Sequence, residues 1–448
     1  MKQIFIFFIT ISACIAIVSP GCKCKKTVVQ AVPKEDPFAP KTMLLDVNGI
    51  KVLFKKTSSQ IVSAQAFLYG NGGYTKANEG IEKLAITWSL LSMGAEDVKK
   101  FQEMKLQNGL KLYDSCTSNY SCWGLSVVNE GFSDAMSLLG QTVTKPSLSS
   151  ENFGKAKASI IQQINSNKNN EKLVLHQRLS HQLFEGNTNE LNPRGTETIV
   201  NLLTEEEVIN YLKNRTTKSN LFIVVVGNLS EVQVRDAIAN NFIELQTGVT
   251  SKPDSTLLKM VKSNINYYDD AVKDNHLYGV IGMPDNTSRN YYAMRLALEI
   301  LNQKIKTAAA ANGNLMFDMQ FDNHLGPVPY SSYYIKTNSP NEAAQLFYGE
   351  IKKLKINGFD NEELKDIRAQ LITKFYYGIK SNAQQGFALA DAYVAGNWPL
   401  GEILPYKFNS ISQPEVIKAF EDYMKAIQWG FLGNKERVDE AILLMDLN

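Results

Sequence analysis

The chain has 448 residues, more than a single hydrophobic core usually spans, so at least two packed units are expected. Its 44% hydrophobic and 21% charged residues give an ordinary globular balance. A net charge of +2 without a clustered basic surface excludes the usual nucleic-acid-binding profile.

The first element is a leader. Met1-Lys2-Gln3 forms a small positive start, and Ile4 to Val18 is almost wholly apolar. That run is shorter than the roughly 20 residues of a membrane-spanning helix but fits a secretory core. Ser19-Pro20-Gly21-Cys22 follows, with small residues before a cysteine, the pattern of a bacterial lipoprotein cleavage site. Residues 1–21 are therefore expected to be a signal peptide. Cys22 becomes a lipidated N-terminus on a periplasm-facing protein of the bacterial envelope, the choice of membrane being left open. Plain secretion after cleavage near Gly21 is the alternative. Residues 22–42 are rich in Lys, Pro and Val and read as a tether.

Cys14 leaves with the leader, and Cys24, Cys116 and Cys122 remain. Export favours disulfides. Cys116 and Cys122 flank Thr117 to Ser121, which reads as a hairpin loop, so they can pair across it or sit as two small core residues. No C-x-x-C pair suggests a cysteine zinc site.

Further along, the chain repeats itself. Glu207-Val208-Ile209 leads to Leu221–Val226 and then Gly227-Asn228, while Glu415-Val416-Ile417 leads to Trp429–Leu432 and then Gly433-Asn434. The triplets are 208 positions apart (415 − 207) and the Gly-Asn pairs 206 (433 − 227). Both halves thus close as capped helix, apolar strand, Gly-Asn turn and a further helix. Ser121–Leu139 and Ser332–Leu354 each read as a strand followed by a helix with apolar residues three and four apart. Residues 246–257, with Gly248, Ser251 and Pro253, have linker composition. The expected fold class is α+β, with homologous halves at 43–245 and 258–448. Each is a mostly antiparallel sheet with helices packed on one face, and together they form a clamshell-like module.

Two halves of this order, with Gly49–Phe54 as an opening strand, Gly72-Gly73 and Glu79-Gly80-Ile81 before a helix, and Thr204-Glu205-Glu206 before the closing strand, resemble the pitrilysin/insulinase-like zinc metallopeptidases. In that family an H-x-x-E-H helix supplies two zinc-binding histidines and a general base, and a later glutamate is the third ligand. Aligned on Gly80, the resemblance places Lys83 at the first histidine, Ile86 at the base and Thr87 at the second histidine. Counting 76 residues on from Thr87 (87 + 76) places Gln163 at the last ligand. Lys83 would repel zinc, and Ile86 cannot accept a proton. The resemblance therefore implies a non-catalytic member without zinc, with Lys83, Ile86, Thr87 and Gln163 as degenerate positions.

The four histidines offer no rescue. His176 and His181 are five apart on a helix, and His276 and His324 stand alone. The family also uses an Arg/Tyr pair to hold the substrate backbone. Here Tyr330 matches the tyrosine, and Asn323 stands where the arginine belongs. The glycine-rich Tyr69–Tyr74 lacks the Lys-Ser/Thr of a phosphate loop and reads as a turn. Tyr376, Tyr377 and Phe387 read as packing residues. The resemblance implies a catalytic paralogue or extended peptides as partners, together with the membrane through Cys22. An active metalloendopeptidase or other hydrolase using displaced residues, and a structural envelope component, are the alternatives.

Overall fold

Strands of nearly continuous apolar sequence need cover on both faces, and their positions in this chain decide how its halves engage. The computed structural model describes residues 40–447 apart from 71–74, 187, 251–254 and 269–271. The leader, Cys14, Cys22, Cys24, the tether up to residue 39 and the tip of the 69–74 turn lie outside the described residues. Pro40–Asn448 is one compact unit.

The first half contributes β1 (Met43–Val47), β2 (Ile50–Lys56), β3 (Ile61–Tyr69), β4 (Lys111–Cys116), β5 (Tyr120–Val128) and β6 (Leu221–Gly227). They form one sheet in the order β1-β2-β6-β3-β5-β4. The second half contributes β7 (Asn264–Tyr268), β8 (Asn275–Gly282), β9 (Phe317–His324), β10 (Tyr330–Thr337) and β11 (Gln428–Leu432), in the order β7-β11-β8-β10-β9. The orders coincide once the β1 hairpin strand is set aside. In each sheet the closing strand inserts beside the opening one in parallel, β6 on β2 and β11 on β7, and every other pairing is antiparallel.

Local chemistry explains the repeated ends. Thr204 and Ser412 both start helices with capping boxes, closed by Glu207 and Glu415, the glutamates of the repeated triplets. After Gly227-Asn228 comes a full helix, Glu231–Asn241, capped by Ser230. After Gly433-Asn434 the chain forms only a 3-10 turn at Lys435–Arg437 and a short helix, Glu440–Leu443, so the expected second helix is reduced to a remnant.

Each half lays its own helices on one face of its sheet. In the first half Leu84, Ala135, Leu139 and Ile160 bury against Val62, Ala64, Trp123 and Ile223. In the second Leu296, Phe347, Ile351 and Phe420 bury against Leu277, Tyr333 and Trp429. The opposite faces are covered by exchange. Helix Asn382–Val394 of the second half sets Leu389, Ala390 and Val394 on Leu53, Phe67, Phe222 and Val224 of the first sheet. Helix Glu171–Leu183 of the first half sets Leu175 and Leu179 on Tyr278, Val280, Tyr334 and Leu432 of the second sheet. All seven residues of β6 are consequently buried.

Polar contacts fix the first exchange. Asn382 Nδ2 donates to the carbonyls of Ile61 at 2.6 Å and Val226 at 3.2 Å, and Gln65 Nε2 donates to the Ala383 carbonyl at 3.2 Å. Phe387 packs edge-on against Phe67 at 5.9 Å between ring centres, so it is a packing residue. Tyr376 and Tyr377 instead lie on the surface.

Leu179→Ala and Leu389→Ala should each destabilise the whole unit by about 2–5 kcal/mol, because both side chains are fully buried in the exchanged contacts. Denaturant unfolding should show one shifted transition in each variant. A loss confined to one half would mean that the halves fold independently.

Candidate functional site

Helix Ile81–Leu91 carries the positions that match the zinc motif and rests on the edge of the first sheet. Gly80 caps it at φ 87°, a conformation that favours glycine. Gly195, at φ 71°, packs directly against this turn, where an added Cβ would lie 2.3 Å from the Glu79 carbonyl oxygen. The start of the helix is thereby pinned to the 192–196 segment.

From this helix Lys83 and Thr87 point to one acceptor. Lys83 Nζ lies 2.5 Å from Asp114 Oδ2, and Thr87 Oγ1 donates to the same oxygen at 2.9 Å. Asp114 comes from β4, the edge strand. The Lys83 side chain is 8% exposed and that of Asp114 25%. An ammonium so desolvated needs its counter-ion. Ile86 points into the core and is fully buried. Gln163 lies on helix Ser150–Asn167, where its amide donates to Ser159 of the same helix at 3.5 Å. No hydrogen bond joins it to Lys83, Thr87 or Asp114 among the described residues. The structure thus brings Lys83 and Thr87 together on Asp114, turns Ile86 away and leaves Gln163 apart.

Glu82, the one further acid on this helix, is committed elsewhere. It accepts from the Tyr211 hydroxyl and lies 3.5 Å from Arg215 Nε. The fourfold set of lysine, isoleucine, threonine and glutamine does not fit a zinc ion. It offers neither imidazole nor carboxylate, and the one carboxylate beside it is held by an ammonium.

Cys116 and Cys122 do not pair. In the β4–β5 register Cys116 stands opposite Ser121 and Cys122 opposite Ser115, so the two side chains emerge on opposite faces of the sheet, and both remain thiols. Cys122 packs under helix Asn382–Val394. Cys116 contacts the Pro193 carbonyl at 3.6 Å, and burial pushes its thiol up to about 12.

Tyr330 was expected to meet substrate and is instead buried beneath helix Glu171–Leu183. Its hydroxyl lies 3.1 Å from His176 Nε2, and its ring stacks on His324 at 4.1 Å between ring centres. His324 therefore does not stand alone. It faces Ser332 Oγ at 3.1 Å and the His176 ring at 6.1 Å. Asn323 Oδ1 accepts from Ser331 at 2.7 Å. His276, in turn, bonds Tyr334 at 2.8 Å. Desolvation, with the neighbouring His176 adding to it, pushes His324 down to about 3. Spacing along the sequence concealed this cluster, because His176 and His324 meet only through the helix exchange.

Two sheets of one strand order, each with its own helices on one face and a borrowed helix on the other, define a two-half α+β module. Residues 202–371 match the family described as Peptidase M16 inactive domain, and the sequence holds no H-x-x-E-H run. It is 24% identical over 266 residues to subunit 1 of the mitochondrial cytochrome b-c1 complex from Saccharomyces cerevisiae, over 56% of this chain and 55% of that protein. The match thus spans about half the length of the curated relative. In fold it is similar to a Peptidase M16 inactive domain from Pseudomonas fluorescens, with a TM-score of 0.76, 15% identity and coverage of 88% of this chain and 98% of that one. A chain of complex III2 from Candida albicans gives 0.75, 16% identity and coverage of 91% and 100%.

Two outcomes follow from these environments. Lys83→Met should destabilise by about 1–3 kcal/mol, less than a fully buried pair because Asp114 keeps some contact with water, as read from the denaturation midpoint at neutral pH. His324 binds its proton more weakly folded than unfolded, so its contribution to stability is complete above about 6.5 and is lost as pH falls towards about 3. His324→Phe should flatten the decline of the unfolding midpoint across that interval. An unchanged slope would show that His324 is not the group responsible.

Proposed function

We propose that this chain is a non-catalytic M16-like lipoprotein of the bacterial envelope that holds extended polypeptide instead of cutting it. The observation that carries the reading is the Lys83–Asp114–Thr87 set, which ties helix Ile81–Leu91 to an edge strand whose outer side has no strand partner among the described residues. A guest segment can add to such an edge through main-chain hydrogen bonds, which need no metal. The leader and Ser19-Pro20-Gly21-Cys22 support anchoring through a lipidated Cys22 on the periplasmic side.

A second reading makes the chain the non-catalytic half of a paired peptidase. It is favoured by the similarity to a protein named as a subunit of the cytochrome b-c1 complex. Pull-down of the tagged protein from its native envelope in mild detergent separates the two. A stoichiometric partner with an intact H-x-x-E-H motif establishes the paired form. Binding of unstructured peptides without such a partner supports a stand-alone holder, and neither outcome would leave a structural envelope role. Peptide hydrolysis abolished by a chelator would overturn the non-catalytic reading.

Cys22→Ser should move the protein from the membrane to the soluble fraction, whereas plain secretion predicts no change. The combined variant Lys83→His, Ile86→Glu, Thr87→His and Gln163→Glu should hold no more zinc than the parent by elemental analysis after dialysis, because Ile86 faces the core and Gln163 lies apart. Zinc gained by the variant would mean that these four side chains converge.

A further inference from the structure

A cleft of about 990 Å³ opens where helix Glu171–Leu183 and residues 189–198 of the first half meet Val272, Lys273 and Leu432 of the second. Neither Lys83, Thr87, Asp114 nor Gln163 lines it. One wall is nevertheless fixed to the zinc-motif helix and to the edge strand. Asn192 N–H donates to Glu79 Oε1 at 3.3 Å, Gly195 packs on Gly80, and Pro193 O lies against Cys116 at the end of β4. A segment added along β4 therefore meets this wall where the strand ends.

Two of the three acids of the lining, Glu190 and Glu197, are engaged. Glu190 is held by Lys76 and by the Gly186 N–H, and Glu197 pairs with Lys168 at 2.7 Å. Glu171 has no ion-pair partner within 4 Å among the described residues and leaves one carboxylate in the lining. Two cations are left over. Arg194, on the pinned wall, and Lys273, from the second half, both line the cleft, both are exposed, and neither has an ion-pair partner within 4 Å among the described residues.

We propose that this cleft receives an acidic extended segment, whose carboxylates are taken by Arg194 from one half and Lys273 from the other. The inference rests on the peptide-holding reading and adds a charge preference to it. Arg194 can bind a carboxylate in a bidentate fork, while Lys273 acts as a point charge. A ligand spanning both would tie the halves together at the seam.

The test uses the full chain in detergent and three fluorescent unstructured peptides of equal length and equal apolar content, one rich in Asp and Glu, one rich in Lys and Arg, one uncharged. The acidic peptide should bind about tenfold more tightly than the uncharged one at low ionic strength, an advantage that salt reduces. Arg194→Glu combined with Lys273→Glu should abolish or reverse that advantage without moving the unfolding midpoint, since both side chains are exposed. Equal binding of all three, or preference for the basic peptide, overturns the charge assignment and leaves peptide holding intact. Binding of none removes both.

Discussion

The exchange of helices between the halves is the constraint on which the rest of this structure depends. Each sheet is apolar on both faces, and each half supplies enough helix to cover only one. Phe222, Val224 and Val226 of β6 would face water without helix Asn382–Val394, and Tyr278 and Val280 of β8 would do so without helix Glu171–Leu183. Burial of a large apolar side chain contributes about 1.5–3 kcal/mol, so neither half can give up the borrowed helix and keep its sheet dry. The Asn382 side chain adds direction to this burial. Its bonds to the Ile61 and Val226 carbonyls reach the end of the sheet, and they fix where along the strands the helix starts.

The same exchange decides which residues remain available for function. Helix Glu171–Leu183 buries Tyr330 and brings His176 onto it, which removes a side chain that sequence similarity would assign to substrate. On its other side that helix forms a wall of the cleft. Helix Ile81–Leu91 is engaged differently. Lys83 supplies positive charge next to Asp114, but an ammonium has no empty coordination position and cannot activate a water as a metal does. The pair instead joins helix Ile81–Leu91 to the edge strand.

Much of the fold was legible in the sequence because the signals were local. The capping boxes at Thr204 and Ser412, the apolar closing strands and the Gly-Asn turns each depend on neighbours within a few residues, and the two sheets share one order as that repetition implied. The absence of an H-x-x-E-H run is read from residue identity alone. The exchange was not legible. Helices Glu171–Leu183 and Asn382–Val394 carry ordinary apolar stripes, and a stripe records that a helix packs without naming the sheet it packs on. For that reason the sequence separated His176 from His324 and left Tyr330 open to substrate. Asp114 went unnoticed because its partners lie 31 and 27 positions away (114 − 83 and 114 − 87) on another element. The thiol pair failed on register, where a one-residue offset sends neighbouring side chains to opposite faces.

The halves have diverged unequally. β4 and β9 occupy the same terminal place in their sheets, and each leaves its outer side without a strand partner among the described residues. Beside β4 the side chains are fixed by Lys83 and Thr87, and the strand ends against the pinned wall at Pro193. Beside β9, Lys172 from the exchanged helix holds Asp322 at 2.5 Å and Gln320 at 2.9 Å, which places a foreign side chain across one face of that strand. A guest approaching β9 meets this strap, whereas a guest along β4 is led towards Arg194 and Lys273, which have no ion-pair partner among the described residues. The asymmetry makes the first-half edge the better candidate for holding a segment, and the route from β4 into the cleft is what joins its backbone recognition to a preference for charge.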